Sequence, residues 1–262
     1  MINLLFPKVC NACKSLLLKE EILICTKCRH SLSVISNLNF GEQLIKQLFF
    51  GKIVIENASV LLKFEKKGIS QELLHNMKYR GKKNLSSFFG KWLGDELKEK
   101  LSYKDIDLVI PVPLDKKRLK KRGYNQVEGF GIEIAKALKV PYLDKILIKD
   151  IKTNSQVFKK RFNRFHTAGV FRIVQPKLLD HQHVLLVDDI NDSGHTLNGI
   201  KGVVDEWDSQ ENNNLLLLHE GIKYATLFDK ESSDFPHVSF TGNVVTPEEE
   251  KWIVFPYEEW WK

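Results

Sequence analysis

The chain has little of what a membrane, secreted or disulfide-stapled protein would need. Its 262 residues include only 4 cysteines and 2 methionines. No apolar run reaches the roughly 20 residues needed to span a bilayer as a helix. The opening stretch, MINLLFPKVC, lacks the charged flank and long apolar segment of a secretory signal. A cytoplasmic protein without a membrane span is the expectation. There is no long internal repeat and no low-complexity tract, which argues against solenoids and disordered arrays. An acidic excess is also missing. Lys and Arg number 40 against 33 Asp and Glu, a net charge of +7, and the pI is near 9.0. That balance suits a polyanionic ligand or nucleic acid without choosing between them. The 43% hydrophobic content is enough for a core, in one large domain or two modest ones.

The scarce cysteines are clustered. Cys10, Cys13, Cys25 and Cys28 form two C-x2-C pairs separated by eleven residues. In a reducing compartment such pairs read as metal ligands ahead of disulfides. Two knuckles together complete a tetrahedral thiolate site for structural zinc. A segment this short buries little core, so the metal would supply its folding energy. His30 lies near but is read as a surface residue, because four thiolates fill the shell. Residues 1–50 are expected to be this knuckle and its linker, and 51–262 the main domain.

Hydrophobic patterning predicts strands over 59–65, 107–113, 183–189, 222–228 and 251–255. Helical spacing covers 69–81, 85–101, 125–138 and 193–207, and 210–220 suggests a loop with a short helix. Strands alternating with helices predict an α/β fold with a largely parallel central sheet.

The stretch VLLVDDINDSGHTL (184–197) is the most informative. In parallel α/β sheets, ligands bind beyond the carboxyl ends of strands. Asp188 and Asp189 sit at such an end, and loss of strand geometry there would let both reach one ligand. Carboxylates only accept hydrogen bonds, so the pair suits vicinal hydroxyls or hydrated Mg²⁺. Asp192, Ser193, Gly194, His195 and Thr196 follow, entering a helix. Backbone N–H groups and the Ser193 and Thr196 hydroxyls can cradle a phosphate there. Hydroxyl recognition beside phosphate recognition spells a ribose phosphate. His195 receives no chemistry of its own.

This stretch resembles the PRPP-binding signature of type I phosphoribosyltransferases. LLHNMKYRGKKNLSSFFGKWL (73–93), PVPLDKKRLKKRGYNQ (111–126) and KTNSQVFKKRFNRFHTAGVF (152–171) are similar to segments of the ComF family. These are cytoplasmic phosphoribosyltransferase-like proteins linked to DNA uptake, and they carry a four-cysteine knuckle too. The resemblance covers residues 1–190 and implies the type I phosphoribosyltransferase fold. It implies pyrophosphate contacts from the loop after 107–113 and a mobile loop over 153–171. Arg118 and Arg122 are the expected cationic contacts and Arg161 a loop clamp on phosphate. Asn125 and Gln126 read as packing or capping residues. Lys78 is within reach of the ligand in principle, but a lysine on an exposed helix is usually unremarkable.

Residues 190–262 resemble a different branch, the hypoxanthine- and xanthine-type enzymes. Asp192 stands where ComF proteins usually carry threonine and matches a candidate general base of purine enzymes. By the same resemblance Lys223 would contact the exocyclic oxygen of a 6-oxopurine. Trp252 would stack on the base, and the backbone at Ile253 would read its edge. The implied reaction is Mg²⁺-dependent phosphoribosyl transfer from PRPP to a nucleobase with release of pyrophosphate, Asp188, Asp189 and Asp192 carrying the catalysis. The alternative is a ComF-like binding protein that senses PRPP, or meets single-stranded DNA or a competence-protein partner, through runs such as KKRLKKR (116–122). A homodimer is compatible with either.

Overall fold

The computed structural model describes residues 7–35, 57–149, 171–191, 199–200, 203 and 222–229. Asp192, Ser193, Gly194, His195, Thr196, Arg161, Trp252 and Ile253 lie outside these residues. So do the expected strand at 251–255, the segment 210–220 and most of the expected helix over 193–207.

Four strands build one sheet: β1 (Asn57–Lys63), β2 (Leu108–Pro111), β5 (Val184–Asn191) and β6 (Ile222–Asp229), in the order β1-β6-β5-β2. Every pairing in it is parallel, as the alternation of strands and helices predicts. The two central strands, VLLVDDIN and IKYATLFD, are apolar over most of their length, as strands covered on both faces must be. A separate antiparallel ribbon joins β3 (Leu147–Lys149) to β4 (Phe171–Ile173).

In β2, β5 and β6 alternate residues feed two different cores. On one face, Leu61, Val109, Leu185, Val187, Ala225 and Leu227 pack with helices. These are α2 (Ile69–Tyr79), α3 (Lys83–Leu97) and α5 (Glu128–Leu138). In α3, Leu85, Phe89, Leu93 and Leu97 recur every fourth residue and are all buried. Gly90 brings α3 against α5 so closely that an added Cβ would lie 2.5 Å from the Phe130 carbonyl oxygen. On the other face, Leu108, Ile110, Val184, Leu186 and Tyr224 pack with Ile146, Leu147 and Phe171 of the ribbon region, and with Ile200 and Val203.

The short α4 (Lys116–Arg122) follows β2. Asp115 caps it, its carboxylate accepting from the Arg118 N–H at 2.9 Å, and Gly123 closes it at φ 79°. No residue of α4 is buried.

The cysteine-rich segment joins the helical-face core directly. Cys10, Ile24, Cys25, Cys28 and Leu32 share one apolar cluster with α2 and α3. The Asn76 amide donates to the Asn11 carbonyl, and Lys14 pairs with Glu72 at 2.8 Å. Arg29 lies 5.0 Å over the Trp92 ring. The Ile35 N–H donates to the Leu61 carbonyl at 2.9 Å, tying the segment to β1.

Candidate functional site

The four cysteines converge as their spacing predicts. All four Sγ atoms lie within 4.8 Å of one another, and Cys13 and Cys25 are 3.7 Å apart. A tetrahedral zinc site with bonds of about 2.3 Å has sulfur–sulfur edges of about 3.8 Å. Backbone N–H groups already point at the sulfurs: Ala12 and Cys25 donate to Cys10 Sγ at 3.4 and 3.3 Å, and Cys28 to Cys25 Sγ at 3.4 Å. Such donors stabilise thiolate charge and orient the ligands. A hydrogen bond with the Ser15 hydroxyl is the main influence holding the Cys13 thiol down at about 6. Burial pushes the Cys28 thiol well up. The donor set fits a structural zinc ion held by Cys10, Cys13, Cys25 and Cys28.

The second constellation is at the carboxyl edge of the sheet. Strand geometry continues through the acidic pair: Asp188 pairs with Thr226, and Ile190 and Asn191 with Phe228 and Asp229. The expected loss of strand geometry at Asp188 and Asp189 is therefore not found, because β5 keeps a partner strand alongside. The two aspartates alternate between faces, and each meets different neighbours.

Asp189 joins the helical side. Lys78, from the last turn of α2, pairs with its Oδ2 at 2.8 Å, and the Gln126 amide donates to the same oxygen at 3.1 Å. Arg122 donates to the Gln126 carbonyl oxygen and lies 5.6 Å over the Tyr79 ring. The loop carrying these groups is pinned. The Asn125 amide donates to the Val112 carbonyl at 3.0 Å, and the Tyr124 hydroxyl donates to the Met77 carbonyl. Arg122, Gln126, Asp189 and Lys78 thus form one chain of charge-assisted contacts spanning three elements.

Asp188 has less support. It is buried, and its Oδ1 accepts the Asp189 N–H at 2.8 Å. Burial first, and then the Asp189 charge, push its carboxyl well above the ordinary range. Lys149 of β3 is on the same side. Its own ammonium is pulled down chiefly by burial, then by Arg118, while Asp115 and Asp188 oppose the shift. Thr226, the register partner of Asp188, is 1% exposed, and its hydroxyl has no hydrogen-bond partner.

Of the expected cations, Arg122 is tied into the acidic edge. Arg118 is exposed on α4, its guanidinium 3.2 Å from Asp115. Lys223 is elsewhere. It lies at the amino-terminal end of β6, paired in register with Leu185, three positions before Asp188. Its ammonium is fully buried, bonded to Asp105 and to the Ser102 carbonyl, 5.8 Å from the Tyr103 ring. The residue expected to contact the base thus lies three strand positions upstream of the level of Asp188, bonded to Asp105.

Sequence reasoning set Lys78 aside as an ordinary helix lysine, read Gln126 as a packing or capping residue, and missed Lys149 and Thr226. A signal existed for the first. Lys78 falls four residues after buried Leu74 and one after buried Met77, so a charge borders the apolar stripe of α2. Thr226 likewise interrupts the apolar strand ATLF.

No protein-family model matches the chain. Over 136 residues, 52% of the chain, it is 30% identical to the competence protein ComFC of Streptococcus pneumoniae (strain ATCC BAA-255 / R6). That match spans 57% of the relative's length. Over 190 residues it is 25% identical to the competence protein ComFC of Bacillus subtilis (strain 168), covering 72% of the chain and 75% of the relative. Solved structures with some likeness include the Trypanosoma brucei adenine phosphoribosyl transferase in complex with AMP, pyrophosphate and ribose-5-phosphate. It covers 86% of this chain and 93% of its own at 14% identity, with a TM-score of 0.28. The adenine phosphoribosyltransferase of Leishmania tarentolae covers 71% and 97% at 11% identity, with a TM-score of 0.31. At scores this low the α/β description rests on the strand pairing itself.

Proposed function

We propose that the chain is a ComFC-type competence protein that binds PRPP with Mg²⁺ at the carboxyl edge of its parallel sheet. One observation carries the reading: two adjacent carboxylates at that edge, one of them, Asp189, held by an ammonium and an amide brought in from separate elements. Carboxylates at the end of a buried strand accept hydrogen bonds from vicinal ribose hydroxyls. Asp189 is held in place for that role by Lys78 and Gln126. Asp188 lacks an equal counter-charge, so a Mg²⁺-bearing ligand supplies what it is missing. The turn at 192–196 would receive the 5′-phosphate.

Asp188 holds its proton above the ordinary carboxylate range in the free protein. Ligand-borne Mg²⁺ would draw that proton off. Calorimetric titration with Mg·PRPP in two buffers of different ionisation enthalpy is the test. Saturable binding with proton release is expected, and Asp189→Asn should weaken it by about tenfold or more, a difference of about 1.4 kcal/mol. Absence of PRPP binding in either buffer would overturn the reading.

Transfer of the phosphoribosyl group to a 6-oxopurine, with release of pyrophosphate, is the enzymatic extension. It draws on Asp192 as proton acceptor from the base, and it loses support from the position of Lys223. Incubation with PRPP, Mg²⁺ and each of hypoxanthine, xanthine, guanine and adenine decides it, by nucleotide formation. The binding-protein alternative draws on α4, where six of seven residues are basic and none is buried. Single-stranded DNA held there should dissociate steeply as salt rises, and Lys120→Glu/Lys121→Glu should weaken it. An oligothymidine that does not bind at low salt would remove the DNA role.

A further inference from the structure

The cysteine knuckle leaves four large apolar side chains in water. Val9 is 41% exposed, Leu16 66%, Leu18 72% and Ile22 70%. The other exposed large apolar residues among those described, Tyr79, Leu101, Leu119 and Leu178, are scattered over separate elements. Val9 and Ile22 belong to the wall of a cleft of about 610 Å³ between the knuckle and the turn joining α2 to α3. Leu17 and Leu23 supply more of its apolar surface, and Lys8, Lys82 and Lys83 stand around it. The cleft shares no lining residue with the acidic edge.

The charges around this cleft are uneven. Lys8 and Lys82 have no ion-pair partner among the described residues. Lys83 is 4.7 Å over the Tyr124 ring, a contact that leaves its charge unneutralised. The one acid in the lining among the described residues, Glu21, has both oxygens engaged locally, accepting from the Leu18 N–H at 2.8 Å and the Thr26 N–H at 2.6 Å. Glu21 closes the knuckle loop and keeps its negative charge, which offsets one of the three lysines and leaves the described lining with a net positive charge. An apolar wall with an excess of lysine over acid calls for an occupant that is apolar and acidic together. Among the described residues no aromatic side chain lines the cleft, so these residues offer nucleic-acid bases no face to stack on. A second copy of this chain, with its +7 charge, is a poor electrostatic match.

We propose that this cleft docks a short segment of a partner protein, with apolar side chains against Leu17, Ile22 and Leu23 and Asp or Glu facing Lys8, Lys82 and Lys83. The proposal is independent of the PRPP reading. The test uses the full zinc-loaded chain as bait for a phage-displayed random-peptide library. Recovered peptides should pair apolar residues with flanking acids. Measured by fluorescence anisotropy, their affinity should fall about tenfold or more on Ile22→Asp and on Lys82→Glu/Lys83→Glu, and should weaken with salt. Lys8→Glu, on an exposed side chain outside the four-cysteine set, should weaken binding in the same direction, and unchanged zinc content shows that each variant keeps its fold. Peptides without acidic residues, or peptides that bind the variants as well as the parent, would overturn the proposal. So would an oligothymidine that displaces them and loses binding to the same variants, which would make the cleft a nucleic-acid surface.

Discussion

The cysteine knuckle and the acidic sheet edge are both built from charged or ionisable side chains, but they are assembled in opposite ways. Residues 10–28 supply every ligand of the knuckle from one short segment, and four sulfurs within 4.8 Å of one another share a single task. The acidic edge takes Asp188 and Asp189 from β5, Lys78 from α2, and Gln126 and Arg122 from the loop around α4 and α5. Lys78 and Asp189 are 111 positions apart in the chain. The first site has the donor set of a structural metal ion; the second depends on the whole helical face being in place. They also touch: α2 meets the knuckle through Asn76 and Glu72 and meets the acidic edge through Lys78.

Metal removal should give the largest effect. In zinc-finger peptides structural zinc contributes about 10–16 kcal/mol of binding free energy. Chelation, or Cys25→Ser, should abolish stoichiometric metal binding and raise hydrogen exchange over residues 10–32. Because Cys10, Ile24, Cys28 and Leu32 sit in the same core as α2 and α3, the urea midpoint of the whole chain should fall as well. Elemental analysis and exchange mass spectrometry check the two halves. A knuckle that unfolds while the midpoint stays fixed would show the two regions to be energetically separate.

The next effect belongs to the acidic edge. Lys78→Met leaves Asp189, 6% exposed at its side chain, without its cation. Removing one partner of a buried pair costs about 3–5 kcal/mol, because the other charge stays buried. Equilibrium denaturation should register that loss. The double variant Lys78→Met/Asp189→Leu should recover most of it, and a double variant no more stable than Lys78→Met would show that the pair is not the source.

How much of each region was legible follows from this difference in assembly. The thiolate site could be read from C-x2-C spacing, since local backbone geometry brings each pair together. The parallel sheet could be read from VLLVDD and DLVIPVP, whose apolar runs mark strands covered on both faces. The position of the acidic pair at the carboxyl edge followed from where the apolar run of β5 stops. Its counter-ion did not follow. Lys78 is a helix lysine like many others until α2 is docked against β5. Gln126 looked like a capping residue for the same reason, and it now donates to Asp189. Lys223 shows the limit of reading in the other direction. A motif likeness assigned it a ligand, whereas its row in the sheet pairs it with Leu185 and leads its ammonium to Asp105.

Asp188 separates the needs of function from those of stability. Burial and Asp189 raise its folded pKa above the unfolded value, so the native state holds a proton that the unfolded chain releases. Its stability contribution is then fully present below the ordinary carboxylate range and declines as pH rises toward the raised value. Asp188→Asn removes that decline. At neutral pH it should stabilise the free protein by about 1 kcal/mol, a rise in Tm of roughly 2–4 °C for a chain of this size. The slope of Tm with pH above the carboxylate range should flatten, and PRPP binding should weaken. Differential scanning calorimetry across pH checks the sign. A variant less stable than the parent at neutral pH would mean that Asp188 is a paired, ionised group in the free protein.

The smallest effect is expected at the opposite end of the sheet. Lys223 and Asp105 form an ion pair whose lysine is fully buried while the aspartate is 43% exposed. Asp105 can therefore rehydrate when its partner is lost, which limits the cost of Lys223→Met to about 1 kcal/mol, within the range of screened pairs. Three register positions, about 10 Å of strand, separate Lys223 from Asp188. Mg·PRPP affinity should stay within about twofold of the parent, while Asp189→Asn loses about tenfold. Calorimetric titration of the two variants side by side makes the comparison. A tenfold loss in Lys223→Met would join the two ends of β6 into one site and return this lysine to the ligand.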